Sequence, residues 1–200
     1  MKKPFLEFVR EEMGDNFLLI TTGLPATWKT ETSEEVVKIK GTPMLRTDII
    51  RLEVLKGEDI FDEKVASNMN KRTAVYDEVF RRADETVKKN GSAILDATFI
   101  SQELRKRAAE VAAKNNKTLI ILQTDCPQEV SIQHILRRTK EKYESNALTE
   151  QAYLNNKAKF EKVNIDEIKT AFPALKLTHI LVDTAGGESG NLFITAIAKR

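Results

Sequence analysis

The stretch of sequence that decides the fold is Phe17 to Thr30, FLLITTGLPATWKT. Its first part, Phe17 to Thr22, is uncharged and rich in apolar and β-branched side chains, which favours a strand buried on both faces of a parallel sheet. Gly23 then opens a turn, and Lys29 and Thr30 follow at the spacing of the phosphate-binding loop G-x-x-x-x-G-K-[ST], the Walker A motif. In such a loop, backbone N–H groups and the N-terminal end of the next helix surround the phosphates. The segment therefore predicts a nucleotide site.

One residue of the loop departs from this pattern, because Trp28 stands where the second glycine belongs. Glycine suits that position since the backbone approaches the anion closely and adopts angles that a Cβ resists. The tryptophan therefore predicts either local strain or an altered loop. The alternative is that GLPATWKT is a chance strand–turn–helix connection without a ligand. The residues to which we assign nucleotide binding are Gly23, Leu24, Pro25, Ala26, Thr27, Trp28, Lys29 and Thr30.

The composition is typical of a soluble globular chain. The 200 residues, 41% hydrophobic and 31% charged, suffice for one domain with a large core. The 32 basic and 30 acidic residues nearly cancel, so the net charge of +2 does not indicate nucleic acid or a membrane as a partner. A single cysteine, Cys126, is typical of a reducing cytosol. We expect one cytoplasmic domain over residues 1–200, without a membrane span.

Apolar strand-like segments alternate with amphipathic segments along the rest of the chain. The strands predicted after the loop are residues 44–47, 92–97, 118–124 and 179–183. The predicted helices include residues 4–13, 49–55, 61–90, 103–114, 152–172 and 191–198. Strands separated by helices predict a parallel α/β sheet that is covered on both faces.

Two acids follow predicted strands. Asp48 comes directly after the second strand, between Arg46 and Arg51. A carboxylate there can accept the proton of an attacking hydroxyl while the arginines hold a phosphate or an acidic substrate; the alternative for Asp48 is a helix N-cap. Asp96 ends the apolar strand AILD, which is the arrangement that holds Mg²⁺ beside a phosphate loop. The alternative for Asp96 is a buried structural acid.

A segment dense in charge, Thr139 to Ser145, follows Arg137 and Arg138. A loop that carries arginine can close over a transferring phosphate and offset its charge, although a charge run is also typical of a solvated face. His134 precedes Arg138 by one helical turn, so a helix would place both on one face. We expect a lid over about residues 138–150, with Arg138 binding the nucleotide.

Together these segments resemble the AAA-type small P-loop kinases, a group that includes polynucleotide 5′-hydroxyl kinases, zeta-toxin-like kinases and chloramphenicol phosphotransferase-like enzymes. GLPATWKT is similar to their GLPGSGKST loop, and MLRTDIIR to their S-D-x-x-R segment. VYDEVFRRADETVKKNGSAILDATF is similar to the block that ends in DATF, and HILRRTKEKYESNALTEQAY to the lid. The resemblance covers about Leu18 to Asp183. His134 and Asn146 depart from the lid pattern, where an arginine and an aspartate are usual.

The resemblance implies a three-layer α/β/α P-loop NTPase fold with a five-stranded parallel sheet in the order 2-3-1-4-5 and a helical lid. It implies a kinase that uses Mg²⁺ and transfers the γ-phosphate of ATP to a hydroxyl of a small molecule or a nucleic-acid 5′ end. No obligate protein partner is inferred. The implied roles are phosphate binding by Lys29, Mg²⁺ binding by Thr30 and Asp96, proton abstraction by Asp48, substrate binding by Arg51, and transition-state stabilisation by the lid residue Arg138. A degenerate nucleotide-binding protein without phosphotransfer is the alternative, because of Trp28.

Overall fold

A seven-stranded sheet forms the centre of the protein, of which the computed structural model describes residues 3–60, 62, 64–65, 68–137, 148–186 and 192–200. The strands are β1 Lys3–Pro4, β2 Phe17–Thr22, β3 Met44–Arg46, β4 Ala93–Asp96, β5 Thr118–Asp125, β6 Leu177–Asp183 and β7 Phe193–Lys199. The described helices are α1 Phe5–Glu11, α2 Lys29–Lys40, α3 Thr47–Val54, α4 Met69–Asn90, α5 Gln102–Lys114, α6 Gln128–Leu136, α7 Glu150–Lys159 and α8 Ile165–Ala171.

The strand order in the sheet is β1-β7-β6-β5-β2-β4-β3. The strands from β2 to β6 are paired in parallel, and β2, which leads into the phosphate loop, lies between β4 and β5. These are the five strands that the sequence predicts, in the predicted order 2-3-1-4-5, so the α/β fold class is confirmed. The sheet nevertheless has seven strands and not five, because β7 and β1 extend it antiparallel beyond β6.

The predicted closing helix over residues 191–198 is wrong, because β7 occupies this part of the chain. The segment FITAIAK contains β-branched residues, and it pairs with β6 from Thr178↔Lys199 to Asp183↔Phe193. Without this partner, β6 would present a row of unpaired N–H and C=O groups at the sheet edge. Satisfying that edge outweighs the helical spacing of the apolar residues in the segment.

Helices cover both faces of the sheet and so make three layers. Alternate residues of β2 point to opposite faces: Leu18 and Ile20 pack in the cluster that contains the apolar sides of α4, α5 and α8, whereas Phe17 and Leu19 pack in the cluster that contains those of α1 and α2. All six β2 residues are buried, as expected for a central parallel strand. None of the described helices is both long and apolar enough to cross a membrane.

Several predicted helices have different bounds in the structure. The N-terminal helix covers Phe5–Glu11, because Pro4 belongs to β1. The long helix begins at Met69, where the Asn68 side chain accepts a hydrogen bond from Lys71 N at 3.2 Å; the residues at 61, 63, 66 and 67 lie outside the described part. The predicted helix over 152–172 consists of two helices, α7 and α8, separated by an extended segment.

The break between α7 and α8 has a tertiary cause. Arg105 of α5 is fully buried, and it donates hydrogen bonds to the carbonyl oxygens of Glu161 and Lys162 at 2.7 and 3.4 Å. These two carbonyl oxygens therefore accept hydrogen bonds from the arginine and not from backbone N–H groups of a continuous helix. Asn164 then begins α8 by accepting a hydrogen bond from Glu167 N at 3.1 Å. Helical periodicity in a single sequence does not reveal a carbonyl that a distant arginine binds.

Candidate active site

The loop between β2 and α2 packs so closely on β5 that its first residue must be glycine. Gly23 has φ +144°, and a Cβ there would lie 2.6 Å from Thr124 Oγ1 and 2.9 Å from the Thr124 carbonyl oxygen. The Thr27 hydroxyl lies 2.6 Å from Thr124 Oγ1 and donates to the Leu24 carbonyl at 2.9 Å. Thr184, just after β6, donates to the Thr27 carbonyl at 3.1 Å. The loop is therefore held in shape by polar contacts with the ends of β5 and β6.

Trp28 retains the backbone conformation that a glycine would adopt at its position. It is the N-cap residue of α2, with φ 56° and ψ 35° in the left-handed region. For a residue with a side chain this conformation costs about 1–2 kcal/mol. Of the two outcomes that Trp28 predicts, the structure therefore has local strain, and Ala26 of the same loop is also left-handed, with φ 60°. The Thr32 hydroxyl, which donates to the Trp28 carbonyl at 2.6 Å, stabilises this junction.

The indole of Trp28 is turned toward α6. It stacks on the imidazole of His134, with ring centroids 4.3 Å apart and an interplanar angle of 16°. The Nδ1 atom of His134 also lies 3.3 Å from the carbonyl oxygen of Ala26. His134 is therefore attached to the loop itself. The sequence placed His134 on one helix face with Arg138 and as a departure from the lid pattern, and it did not predict this contact with the loop.

Lys29 and Thr30 begin α2 and face the end of β4. The Lys29 ammonium donates to the Leu24 carbonyl at 2.6 Å, so its charge lies across the mouth of the loop. The Thr30 hydroxyl donates to Asp96 Oδ2 at 2.7 Å. The two predicted magnesium ligands are thus brought together from different elements. A hydroxyl and a carboxylate are hard oxygen ligands of the kind that Mg²⁺ takes.

The donor set fits a magnesium ion that is shared with phosphates. The described residues contain no group of three or more His, Cys, Asp or Glu side chains able to hold a metal. Mg²⁺ is usually held by one or two protein oxygens together with waters and substrate phosphates, and it does not need a cage made wholly of protein. Thr30 and Asp96 would therefore suffice as the protein's share of such a coordination.

Asp96 is 7% exposed, and its pKa is raised above the usual range, first of all by burial. The charge of Asp48 raises it further, whereas the Thr30 hydrogen bond and the charges of Lys29 and Arg46 lower it. The Arg46 Nε lies 4.0 Å from Asp96 Oδ2. A cation in this position would offset the cost of the buried carboxylate. Asp96 is buried, as we expected if it were a structural acid. Its hydrogen bond with Thr30 nevertheless connects it to the loop.

Asp48 is the second residue of α3, and the N-cap is Arg46. The alternative role of Asp48 as a helix N-cap is therefore wrong. Its Oδ1 accepts a hydrogen bond from Arg51 Nη1 at 2.6 Å, and both side chains are partly exposed. Of the two arginines assigned to substrate, Arg51 is thus bound to Asp48, whereas Arg46 is directed to Asp96.

Arg138 and the segment up to residue 147 lie outside the described residues, so the predicted lid is described only at its ends. Helix α6 ends at Leu136 and α7 begins at Glu150. Ala26 of the loop forms a small apolar cluster with Ile135 of α6 and Tyr153 of α7. The two helices that flank the lid segment are therefore packed directly on the phosphate loop.

The sequence reasoning missed Thr124 and Thr184, the two threonines that hold the loop from β5 and β6. Both are fully or almost fully buried and lie at the carboxyl end of a parallel strand. A polar residue at the end of an apolar strand, at the same sheet edge as a phosphate loop, was the signal that could have identified them.

Comparisons with known proteins show the family and the fold of the chain. The family model described as AAA domain, AAA_33, matches residues 18–163. A gluconokinase from Sinorhizobium meliloti 1021 shares 12% identity with a TM-score of 0.59, covering 86% of this chain and 85% of that one. A sugar kinase from Janibacter sp. HTCC2649 shares 15% identity with a TM-score of 0.56, covering 84% and 85%.

A third structure, the AvrRxo1-ORF1:ORF2 complex with ATP, shares 18% identity with a TM-score of 0.57, covering 96% of this chain but 61% of that one. No curated protein matches the sequence. At these identities the structural likenesses show the fold, which is that of P-loop kinases. The family match covers most of the chain, and it confirms the resemblance seen in the sequence. The chain belongs to the AAA domain family AAA_33.

Proposed function

We propose that the protein is a kinase that transfers the γ-phosphate of ATP, with Mg²⁺, to a hydroxyl group of an acceptor. The observation that carries this proposal is the contact between Thr30 and Asp96, at 2.7 Å, at the N-terminus of α2. It joins the phosphate loop to a strand-end acid, and these two parts recur together in enzymes that handle Mg·ATP. The family match and the kinase folds of the structural neighbours support the same activity.

The loop residues from Gly23 to Thr30 would bind the triphosphate. Gly23 keeps the turn close to β5, and the N-terminus of α2 adds its partial positive charge. An ammonium has three donors, so Lys29 can keep its bond to Leu24 and still bind a phosphate oxygen. Mg²⁺, held by Thr30 and Asp96, would offset negative charge on the phosphates when it is bound. We assign Arg138 of the lid segment to the transferring phosphate, as its place in the sequence suggests.

Asp48 would accept the proton of the attacking hydroxyl. It lies at the start of α3, beside the end of β3, and β3 pairs with β4 so that Arg46 is level with Asp96. The acid is therefore near the metal ligands but is not one of them. Arg51 holds one carboxylate oxygen, which fixes the orientation of the group. Catalysis would come mainly from positioning and charge stabilisation.

The competing proposal is a degenerate nucleotide-binding protein without phosphotransfer, and Trp28 motivates it. The left-handed conformation at Trp28 argues against it, because the loop keeps its backbone shape despite the side chain. The acceptor is a small molecule or a nucleic-acid 5′-hydroxyl in our proposal. We place the activity in the cytoplasm, in keeping with the single buried thiol of Cys126.

The test is a screen with labelled ATP against sugars, nucleosides, amino sugars, antibiotics and oligonucleotide ends, followed by Asp48→Asn. We expect the variant to bind Mg·ATP as the wild type does and to phosphorylate the acceptor about 10²–10⁴-fold more slowly, which is the usual contribution of a general base. Asp15→Asn is the matched control, because Asp15 is exposed and pairs with Lys40 away from the loop. Unchanged phosphorylation by Asp48→Asn would remove the base assignment. Absence of ATP binding at millimolar concentration would remove the kinase proposal.

A further inference from the structure

Helices α3 and α4 form one wall beside Asp48. Ile50 of α3 is buried in the same cluster as Val75 and Tyr76 of α4. An ion pair of 2.6 Å between Glu53 and Arg82 fastens the two helices at another point. The register of α4 against α3 is therefore fixed by both apolar and ionic contacts. Residues of α4 one turn before Tyr76 consequently lie near the start of α3.

Arg72 lies one helical turn before Tyr76 and on the same face of α4. Tyr76 is 8% exposed, and its ring meets the edge of Phe99 at 5.8 Å between centroids. Burial raises the pKa of Tyr76, and the charges of Arg51 and Arg72 lower it while that of Asp48 raises it. All three charged groups are thus close enough to this phenol to affect its pKa.

The charges around this phenol do not balance. Arg51 and Asp48 neutralise each other through their 2.6 Å hydrogen bond. The Arg72 side chain is partly buried, and it forms neither a hydrogen bond nor an ion pair within the described part of the chain. The other arginines of α4 differ in this respect: Arg81 binds Glu78 and Glu85, and Arg82 binds Glu53 and Glu78. A partly desolvated guanidinium without an acidic partner is a ready partner for an anion.

We propose that Arg72, together with Arg51, forms an anion subsite next to Asp48, and that the hydroxyl acceptor therefore carries its own phosphate or carboxylate group. This inference rests on the proposed kinase function and deepens it, because it names the chemical class of the acceptor. Arg51 would position both the base and the substrate anion. A guanidinium has five N–H donors, and because Arg51 uses one of them for Asp48, the others can bind the anion. Arg72 would act on the substrate alone. Its role is to set specificity.

The subsite can be tested before the acceptor is identified. The phosphate loop is first saturated with Mg²⁺ and a non-hydrolysable ATP analogue, so that a further anion must bind elsewhere. Inorganic phosphate and, separately, acetate are then titrated, and the side-chain Nε–Hε signals of Arg51 and Arg72 are followed by NMR. We expect saturable shifts of both signals with at least one of the two anions. Whichever anion binds more tightly indicates a phosphate or a carboxylate on the acceptor.

Three variants sharpen the test. Arg72→Gln should weaken anion binding about 10-fold or more, as expected for the loss of a charge-assisted hydrogen bond. Arg72→Lys should recover part of the affinity, because it restores the charge but not the planar fork. Arg81→Gln is the matched control on the same helix and should bind the anion as the wild type does. Thermal unfolding of each variant verifies that the fold is intact.

Shifts confined to loop amides would overturn the proposal, and so would equal anion affinity of wild type and Arg72→Gln. A neutral compound as the best acceptor in the kinase screen would overturn it as well. Failure of the ATP analogue to bind is a different result, because it removes the kinase function. The anion titration can then be run on the nucleotide-free protein and still decides whether Arg72 binds an anion.

Discussion

The indole of Trp28 lies nearly parallel to the imidazole of His134, with their centroids 4.3 Å apart. This contact joins the phosphate loop to α6, which leads into the lid segment. The loop is therefore attached to α6 by a stacked aromatic pair at the position where related loops have a glycine. A residue that the sequence presents as a defect in the motif has a defined partner in the fold.

The first prediction concerns what nucleotide does to this pair. Trp28 caps the helix end that we propose to bind phosphates, so we expect the stack to open when Mg·ATP binds. An aromatic pair is worth about 0.5–1.5 kcal/mol beyond its buried area. His134→Ala should therefore bind Mg·ATP about 2–10-fold more tightly than the wild type by calorimetric titration, because the stack no longer has to break.

Fluorescence provides an independent measurement, because Trp28 is the only tryptophan. In the wild type, Mg·ATP should shift the emission toward that of nucleotide-free His134→Ala. His179→Gln is the matched control, since this second histidine contacts Gln123 and not the loop. Weaker ATP binding by His134→Ala would mean that the stack supports the bound state and would refute the prediction.

The second prediction is that Asp96→Asn stabilises the metal-free protein while it abolishes Mg²⁺-dependent ATP binding. Burial raises the pKa of Asp96, so the folded state holds a proton that the unfolded chain releases near its ordinary pKa of 3.8. Stability contributed by this group is full below that value and falls as pH rises toward the folded-state pKa. Above the folded-state pKa, the wild type carries a buried charge, and the variant avoids its cost. We expect Tm to rise by about 2–4 °C for each kcal/mol recovered.

The matched control for that variant is Asp166→Asn. Its hydrogen bond with Arg200 lowers the pKa of Asp166, which is the opposite direction, and the side chain is exposed. This control should leave Tm unchanged or slightly lower at neutral pH. If Asp96→Asn unfolds at a lower temperature than the wild type, Asp96 contributes more through its bonds to Thr21 and Thr30 than it costs through burial.

The third prediction concerns His179 of β6. Burial, and then the charge of Arg105, lower its pKa to about 4. The folded protein therefore keeps this imidazole neutral, whereas the unfolded chain binds a proton near pH 6.5. Its contribution to stability is full above pH 6.5 and is lost as pH falls from 6.5 to 4. Over that range the loss should reach up to about 3 kcal/mol.

Urea unfolding at several pH values between 7.5 and 4 measures this loss. His179→Gln retains a polar partner for Gln123, which the imidazole contacts at 2.9 Å, but it cannot titrate. The difference in unfolding free energy between wild type and variant should therefore decrease steadily toward low pH. A difference that does not depend on pH would show that the histidine is charged in the fold.

Some features of the site were predictable because they depend on neighbours in the chain. The strand from Phe17, the turn at Gly23 and the helix after Lys29 follow from local composition and spacing. Asp96 could be identified because it ends an apolar run, and strands in parallel sheets end at one edge. The strand order itself required the family resemblance, since five strands can be arranged in many ways.

Other features were missed because they depend on residues far apart in sequence. The segment after Leu192 has helical spacing, yet it forms β7 because β6 has a free edge. The helix predicted over 152–172 is broken at Glu161 and Lys162, whose carbonyl oxygens accept hydrogen bonds from Arg105. The contact of His134 with Trp28 likewise follows from how helices pack, which periodicity does not encode, and so does the absence of an ionic partner for Arg72 among the described residues.

The sequence by itself thus determined the phosphate loop, the parallel α/β class and the types of residue at the site, because each is written in a short stretch of chain. Only the tertiary structure decided which of these residues meet. It brought Thr30 to Asp96, turned Trp28 onto His134, and bound Arg51 to Asp48. The physical reason is that side-chain contacts depend on the packing of helices against a sheet. A loop motif specifies which functional groups are present, and the packing of helices against the sheet determines which of these groups lie close together.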